Sequence, residues 1–213
     1  MIIRFLSTIR YLKLIQIVYR IIYFLKRISN FKWFYHFSFK LKKRNHLVTN
    51  RNKLNLNESI RFTNSHISPK KFTFLNQTVS FPDDIDWDYM GFGKLWNYNL
   101  NYFDYLHQEK QIKGIELIED FISNSNILKT SYDSYPISIR AVNWVKFIVY
   151  HKIDNEGIND HLYMQYNILY KNLEFHLLAN HLLENGFSLL FGAYYFSNKN
   201  YYKRARRIIL DEL

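Results

Sequence analysis

Residues 176–196, HLLANHLLENGFSLLFGAYYF, decide how the chain is read. Leu178, Leu182, Leu189 and Phe196 recur near heptad spacing, and Leu183 and Leu190 broaden the stripe, so the stretch predicts one packed helix. The first half of that helix also carries polar side chains at helical spacing. His176, Asn180 and Glu184 follow at i, i+4, as do His181 and Asn185, each set along one ridge. Such a helix is either wetted on one face or lines a polar cleft. Gly186 and Gly192 lie inside it, where each costs ~1 kcal/mol relative to Ala, and they mark close approach by another helix or a ligand.

The surrounding sequence supports a mainly α protein. The chain has 213 residues, 48% hydrophobic and 19% aromatic, which is too apolar for disorder and long enough for a sizeable core. With only 6 Gly and 3 Pro, it lacks the turns of an all-β sandwich or barrel. Cysteine is absent, which excludes disulfides and thiolate chemistry. The formal net charge of +11 attracts polyanions. No zinc-finger spacing, RNP-like stretch or basic zipper is present, so nucleic acid is not the expected partner.

In chain order, residues 1–28 form a basic amphipathic helix. Arg10, Lys13, Arg20 and Arg27 share an arc and most Ile, Leu and Val lie opposite. Charges interrupt every apolar run, so the segment neither spans a bilayer nor ends in a signal-peptide cleavage site. Packing of its apolar face on the protein is the expected arrangement, with contact to an anionic membrane surface as the alternative. Residues 29–70 read as a basic surface connection, with Lys40, Lys42, Lys43 and Arg44 solvated. Residues 71–81, KFTFLNQTVSF, predict a β-hairpin turning at Asn76-Gln77. Residues 85–105 are dense in aromatics interleaved with Asn97, Asn99, Asn101 and Asp104. Most of those rings are core plugs, and any that are exposed beside amides would suit a sugar. Helices follow over 112–123, 137–152, 161–175, 176–196 and 201–213. Short connections make consecutive helices antiparallel neighbours, as in a bundle, a solenoid or an α/α toroid.

Three blocks, LWNYNLNYFDYL (95–106), YPISIRAVNWVKF (135–147) and HLLANHLLENGFSLLFGAYYF (176–196), together resemble the N-terminal helical domain of the heparinase II/III family of polysaccharide lyases. The opening IRYLKLIQIVYRIIYFLKR is similar to the start of members found in bacterial surface-polysaccharide gene clusters. The resemblance implies a first segment, 1–84, of amphipathic helix, basic connection and hairpin. It implies a second, 85–213, forming the N-terminal part of an incomplete α/α toroid. The implied reaction is β-elimination at a uronic acid in an acidic polysaccharide. There Asn180 would neutralise the uronate carboxylate, assisted by His181, so that the C5 proton can leave. Arg140, Asn143, Trp144, Asn185, Trp96, Asn99 and Tyr102 would line the substrate cleft. The family's Tyr acid–base and a further His would lie beyond Leu213, in a missing C-terminal portion that would act as partner. The expectation is therefore a substrate-binding domain with little or no lyase activity alone. The other readings are a non-catalytic glycan- or partner-binding helical module and a basic membrane-surface protein. No cofactor is implied. No metal pattern is present, since none of His151, His161, His176 and His181 stands in an HExxH motif. The bacterial cytoplasm or periplasm is the expected location.

Overall fold

A computed structural model describes residues 12–28, 49–50, 53–56, 65–126 and 129–213. Residues 1–11, the Lys40–Arg44 cluster and most of the basic connection lie outside the described residues. The element order is α1 (Leu14–Ile28), β1 (His66–Ser68), β2 (Lys71–Phe74), β3 (Gln77–Ser80), α2 (Gly93–Tyr102), α3 (Gln111–Asn124), α4 (Ser134–Tyr150), α5 (Glu156–Lys171), α6 (Ala179–Tyr195) and α7 (Lys199–Glu212). Single 3-10 turns at Asp104–Gln108 and Thr130–Tyr132 complete it. The protein is mainly helical with one small antiparallel sheet.

The sheet runs β1-β2-β3. Phe72 pairs with Val79 and Phe74 with Gln77, so the turn falls at Leu75-Asn76, one residue before the expected Asn76-Gln77. Both turn residues have positive φ, 53° and 59°, the conformation whose twist matches a two-residue hairpin. Phe72 and Val79 face inward. Trp96 of α2 donates from Nε1 to the Gln77 carbonyl at 3.0 Å, which ties the hairpin to the helices. Phe72 shares one core with Trp87, Tyr105 and the buried faces of α2 to α7.

The expected helices form, with shifted ends. Pro136 sits in the first turn of α4, where its missing N–H costs nothing. Asn155 caps α5 and Asn198 caps α7, each accepting first-turn amides. The decisive difference is in the stretch 176–196. Helix α6 begins only at Ala179, and residues 172–178 are irregular. His176 is therefore off the helix and does not share a ridge with Asn180 and Glu184. Gly186 and Gly192 are explained by neighbouring helices. A Cβ at Gly192 would stand 2.6 Å from the Tyr166 ring of α5, and one at Gly186 would stand 2.9 Å from Ile208 of α7.

The hub is α4, which packs against α2, α5, α6 and both 3-10 turns. Its Arg140 is fully buried. The guanidinium donates to Gln165 Oε1 of α5 at 2.7 Å, the Asn101 carbonyl of α2 at 3.2 Å and the Ser131 carbonyl at 2.9 Å. It also lies over the Phe121 ring, 4.3 Å from its centroid. Burial lowers its pKa to about 10, which leaves it charged at neutral pH. His161 packs nearby. Gln165 Nε2 donates to its Nδ1 at 3.1 Å, which leaves Nε2–H to face Tyr132 Oη at 3.0 Å. That pattern requires neutral imidazole, and burial, with the nearby Arg140 charge, lowers the His161 pKa to about 3.

Two outcomes are expected. Arg140→Met will leave Gln165 Oε1 and two carbonyls buried without donors, and will cost at least about 3 kcal/mol in urea unfolding. Arg140→Lys will recover part of this, because an ammonium cannot span all three acceptors. His161 binds its proton in the unfolded chain near pH 6.5 but in the folded chain only near pH 3. Its contribution is whole above pH 6.5 and is lost as pH falls toward 3, because the unfolded state takes up the proton first. His161→Phe will flatten that limb of the stability–pH profile.

Candidate functional site

The break before α6 builds the site. Leu178 has φ 61° with ψ −162°, and Ala179 has φ 48°. Left-handed backbone at non-Gly residues costs of order 1–3 kcal/mol each, so the surroundings must hold it. The Glu174 carbonyl accepts from the Leu177 and Leu178 amides, and Glu212 Oε2 accepts from the Ala179 amide at 2.7 Å. Asn185, buried on α6, accepts from the Glu174 amide at 2.9 Å and donates to Glu174 Oε2 at 3.1 Å and Ser138 Oγ at 2.9 Å. The 172–178 segment is thereby folded back across the first turn of α6.

This fold-back brings Glu174 and His181 together. Seven residues apart on one helix they would sit two turns from each other. Here Glu174 Oε1 is 3.4 Å from His181 Nδ1, an ion-pair contact short of an aligned hydrogen bond. The His181 ring packs on Tyr135, with centroids 4.4 Å apart, and its side chain stays 42% exposed. Burial raises the Glu174 pKa, opposed by Asn185 and His181, so this carboxyl holds its proton more readily than a surface glutamate.

A cleft of about 480 Å³ opens at this point, lined among others by Tyr23, Tyr98, Asp133, Glu174, His176 and His181. Tyr98 Oη donates to Asp133 Oδ2 at 2.8 Å, and Lys94 Nζ reaches the same oxygen at 2.9 Å. Tyr98, Tyr102 and Tyr135 form a row, with ring centroids 6.3 and 6.0 Å apart. Burial raises the pKa of all three, chiefly aided by Asp133 at Tyr98, by Tyr135 at Tyr102 and by Glu184 at Tyr135. At neutral pH these phenols are hydrogen-bond donors rather than bases. A second hollow of about 240 Å³, between the sheet and α3, mixes Lys70 and Lys113 with Glu109, Glu116 and Asp120.

The residues singled out from sequence divide by position. His181 lines the cleft, and Tyr102 is half-buried beside Tyr135. Asn180 is exposed on the first turn of α6. The others serve the fold. Arg140, Trp144, Trp96 and Asn185 are fully buried, which corrects the expectation that they contact substrate. Asn143 is buried too. It donates to the Tyr102 carbonyl at 2.8 Å and Asp104 Oδ1 at 2.5 Å, and its Oδ1 faces His107 Nε2 at 3.1 Å. Asn99 is exposed, but its amide turns back onto the Leu95 carbonyl at 2.8 Å.

Glu174, Tyr135, Tyr98 and Asp133 were not singled out from sequence. Tyr135 stood in view beside Pro136 as a helix start. Glu174 had no local signal, because a break between two non-Gly residues brings it to His181. No family model matches the chain, and no curated protein or solved structure matches it at a significant level.

The Asn185 bridge is open to a charge test. Asn185→Asp keeps the shape but sets a second carboxylate against Glu174. It will destabilise the protein by about 2–4 kcal/mol at pH 7, and by less at pH 5, where one of the pair retains a proton. Paired urea titrations at the two pH values measure this.

Proposed function

We propose that the His181 cleft binds an acidic glycan, and that this chain is the substrate-binding, N-terminal part of an incomplete α/α toroid of the polysaccharide-lyase type. The observation that carries the reading is the Glu174–His181–Tyr135 cluster at a cleft wall, with Asn180 on the same first turn of α6. β-Elimination at a uronate needs the substrate carboxylate neutralised before the C5 proton becomes acidic. An imidazole that shares a proton with a buried glutamic acid supplies such a donor, and an exposed amide beside it supplies a second. The tyrosine row offers ring faces for sugars, and its protonated phenols donate to hydroxyl or ring oxygens. In this reading the chain binds and neutralises. Proton removal at C5 requires a base that none of these groups provides at neutral pH without giving up its pairing.

A second reading has its own support. Lys94 and His181 are each already paired with a carboxylate, Asp133 and Glu174. A cleft with paired cations and a row of tyrosines also suits a neutral glycan, held without catalysis.

Calorimetric titration with a panel of uronate oligosaccharides, each beside its carboxyl-reduced counterpart, separates the two. The acidic-glycan reading expects binding of the uronate form, a loss of about tenfold or more on His181→Ala, and weaker binding of the reduced form. Equal affinity for both forms would favour the neutral-glycan module. An absorbance rise from unsaturated uronate that survives Asn180→Ala would show that neutralisation has been assigned to the wrong residues.

A further inference from the structure

The positive charge of this protein is not spread evenly. Residues 1–57 hold 13 of the 29 Lys and Arg and not one Asp or Glu, whereas residues 58–213 hold 16 basic and 18 acidic side chains. The net charge of +11 therefore belongs to the N-terminal quarter, and the part that carries the cleft is slightly acidic.

Within that quarter, α1 sits on the protein by an unexpected face. Gln16 Nε2 donates to the Leu177 carbonyl at 3.2 Å and Tyr23 Oη to the Leu173 carbonyl at 2.8 Å. The Tyr19 ring stacks on Phe175 at 4.7 Å, and Tyr23 packs on His176 at 4.6 Å. Positions 16, 19 and 23 form one helical face. The opposite ridge, Leu14, Val18, Ile21 and Leu25, is 77%, 45%, 54% and 57% exposed, with Ile15, Ile22 and Phe24 exposed beside it. An amphipathic helix normally buries its apolar stripe against the core and leaves its polar face to water. Here the polar and tyrosine face docks, and seven large apolar side chains point outward. Lys13 and Arg20 are exposed at the margin of that stripe.

We infer that α1 is an interfacial membrane helix: its outward stripe lies in the headgroup–acyl boundary of an anionic bilayer, and the N-terminal basic residues contact lipid phosphates. A stretch of 57 residues without one acidic side chain matches a uniformly negative surface better than it matches a protein partner of mixed charge. The helix lies on the bilayer and does not cross it. Its 15 residues extend only ~22 Å against a hydrocarbon core of ~30 Å, and no described helix is long and apolar enough to span. Tyr23, on the docked face, lines the His181 cleft. The membrane is thereby held about one helix diameter, ~10 Å, from the cleft rim. The inference does not depend on which glycan the cleft takes.

Flotation of the full chain with phosphatidylcholine vesicles, with and without phosphatidylglycerol, tests it. The wild type should float with the anionic vesicles, less so at high salt, and Val18→Glu/Ile21→Glu should lose about tenfold or more of that binding. Both positions are exposed, so far-UV circular dichroism and glycan titration of the double variant should match wild type. Failure of the wild type to float would overturn the inference. So would binding that the double variant retains, which would mean charge alone without apolar insertion. A concentration-dependent dimer abolished by the double variant, in a protein that does not float, would identify a second copy of the chain as the occupant instead.

Discussion

A buried guanidinium governs the architecture. Arg140 stands on the hub helix with no carboxylate hydrogen-bonded to it, and its charge is met by two backbone carbonyls, one side-chain amide and an aromatic face. Those acceptors come from α2, the Thr130–Tyr132 turn and α5, so one side chain fixes three separate segments against α4. A charge in such a site must have its partners, because an ion left unsolvated in a low-dielectric interior costs several kcal/mol. The neighbouring core is adapted to it. His161 stays neutral beside the cation, and Phe121 and Tyr132 lay their ring faces toward it.

The cleft depends on that arrangement at one remove. Ser134 and Ser138, on the first turns of the same helix, accept or donate to the 172–178 segment and to Asn185. Asn185 in turn holds Glu174 against His181. The polar residues that a sequence reader would assign to a ligand are largely spent on this internal scaffold. Arg140, Asn143 and Asn185 all satisfy backbone or side-chain partners, and they place less conspicuous groups, Glu174 and Tyr135, at the cleft. Strain is stored in the same place, in the left-handed backbone at Leu178 and Ala179, where the chain reverses to enter α6.

Charge and apolar surface are also separated along the chain. The basic N-terminal quarter carries an outward apolar stripe, and the near-neutral remainder carries the cleft. A single figure for net charge hides this division. It gave weight to an anionic substrate, although the excess cations lie on another part of the chain. The tyrosine contacts of α1 then join the two parts at the cleft rim.

The sequence by itself determined the helical class, the hairpin, the existence of α3 to α7 and the amphipathic character of α1. Each rests on periodicity and on turn or capping residues that act locally: Asn155 and Asn198 as caps, Pro136 in a first turn, and Leu, Ile and Val at helical spacing. The sequence also pointed to His181 through a polar ridge on an apolar helix. Tertiary structure alone decided which polar residues face a ligand. Burial of Arg140, Trp144 and Asn185 follows from how α4 meets its neighbours, and no local pattern encodes it. It also decided that helix α6 starts at Ala179. The apolar pattern runs on through 176–178, but hydrogen bonds from Asn185 and Glu212, distant in sequence, offset the cost of breaking it. Lastly it decided which face of α1 is covered, because helical periodicity shows that a helix has two faces and only packing shows which one is docked.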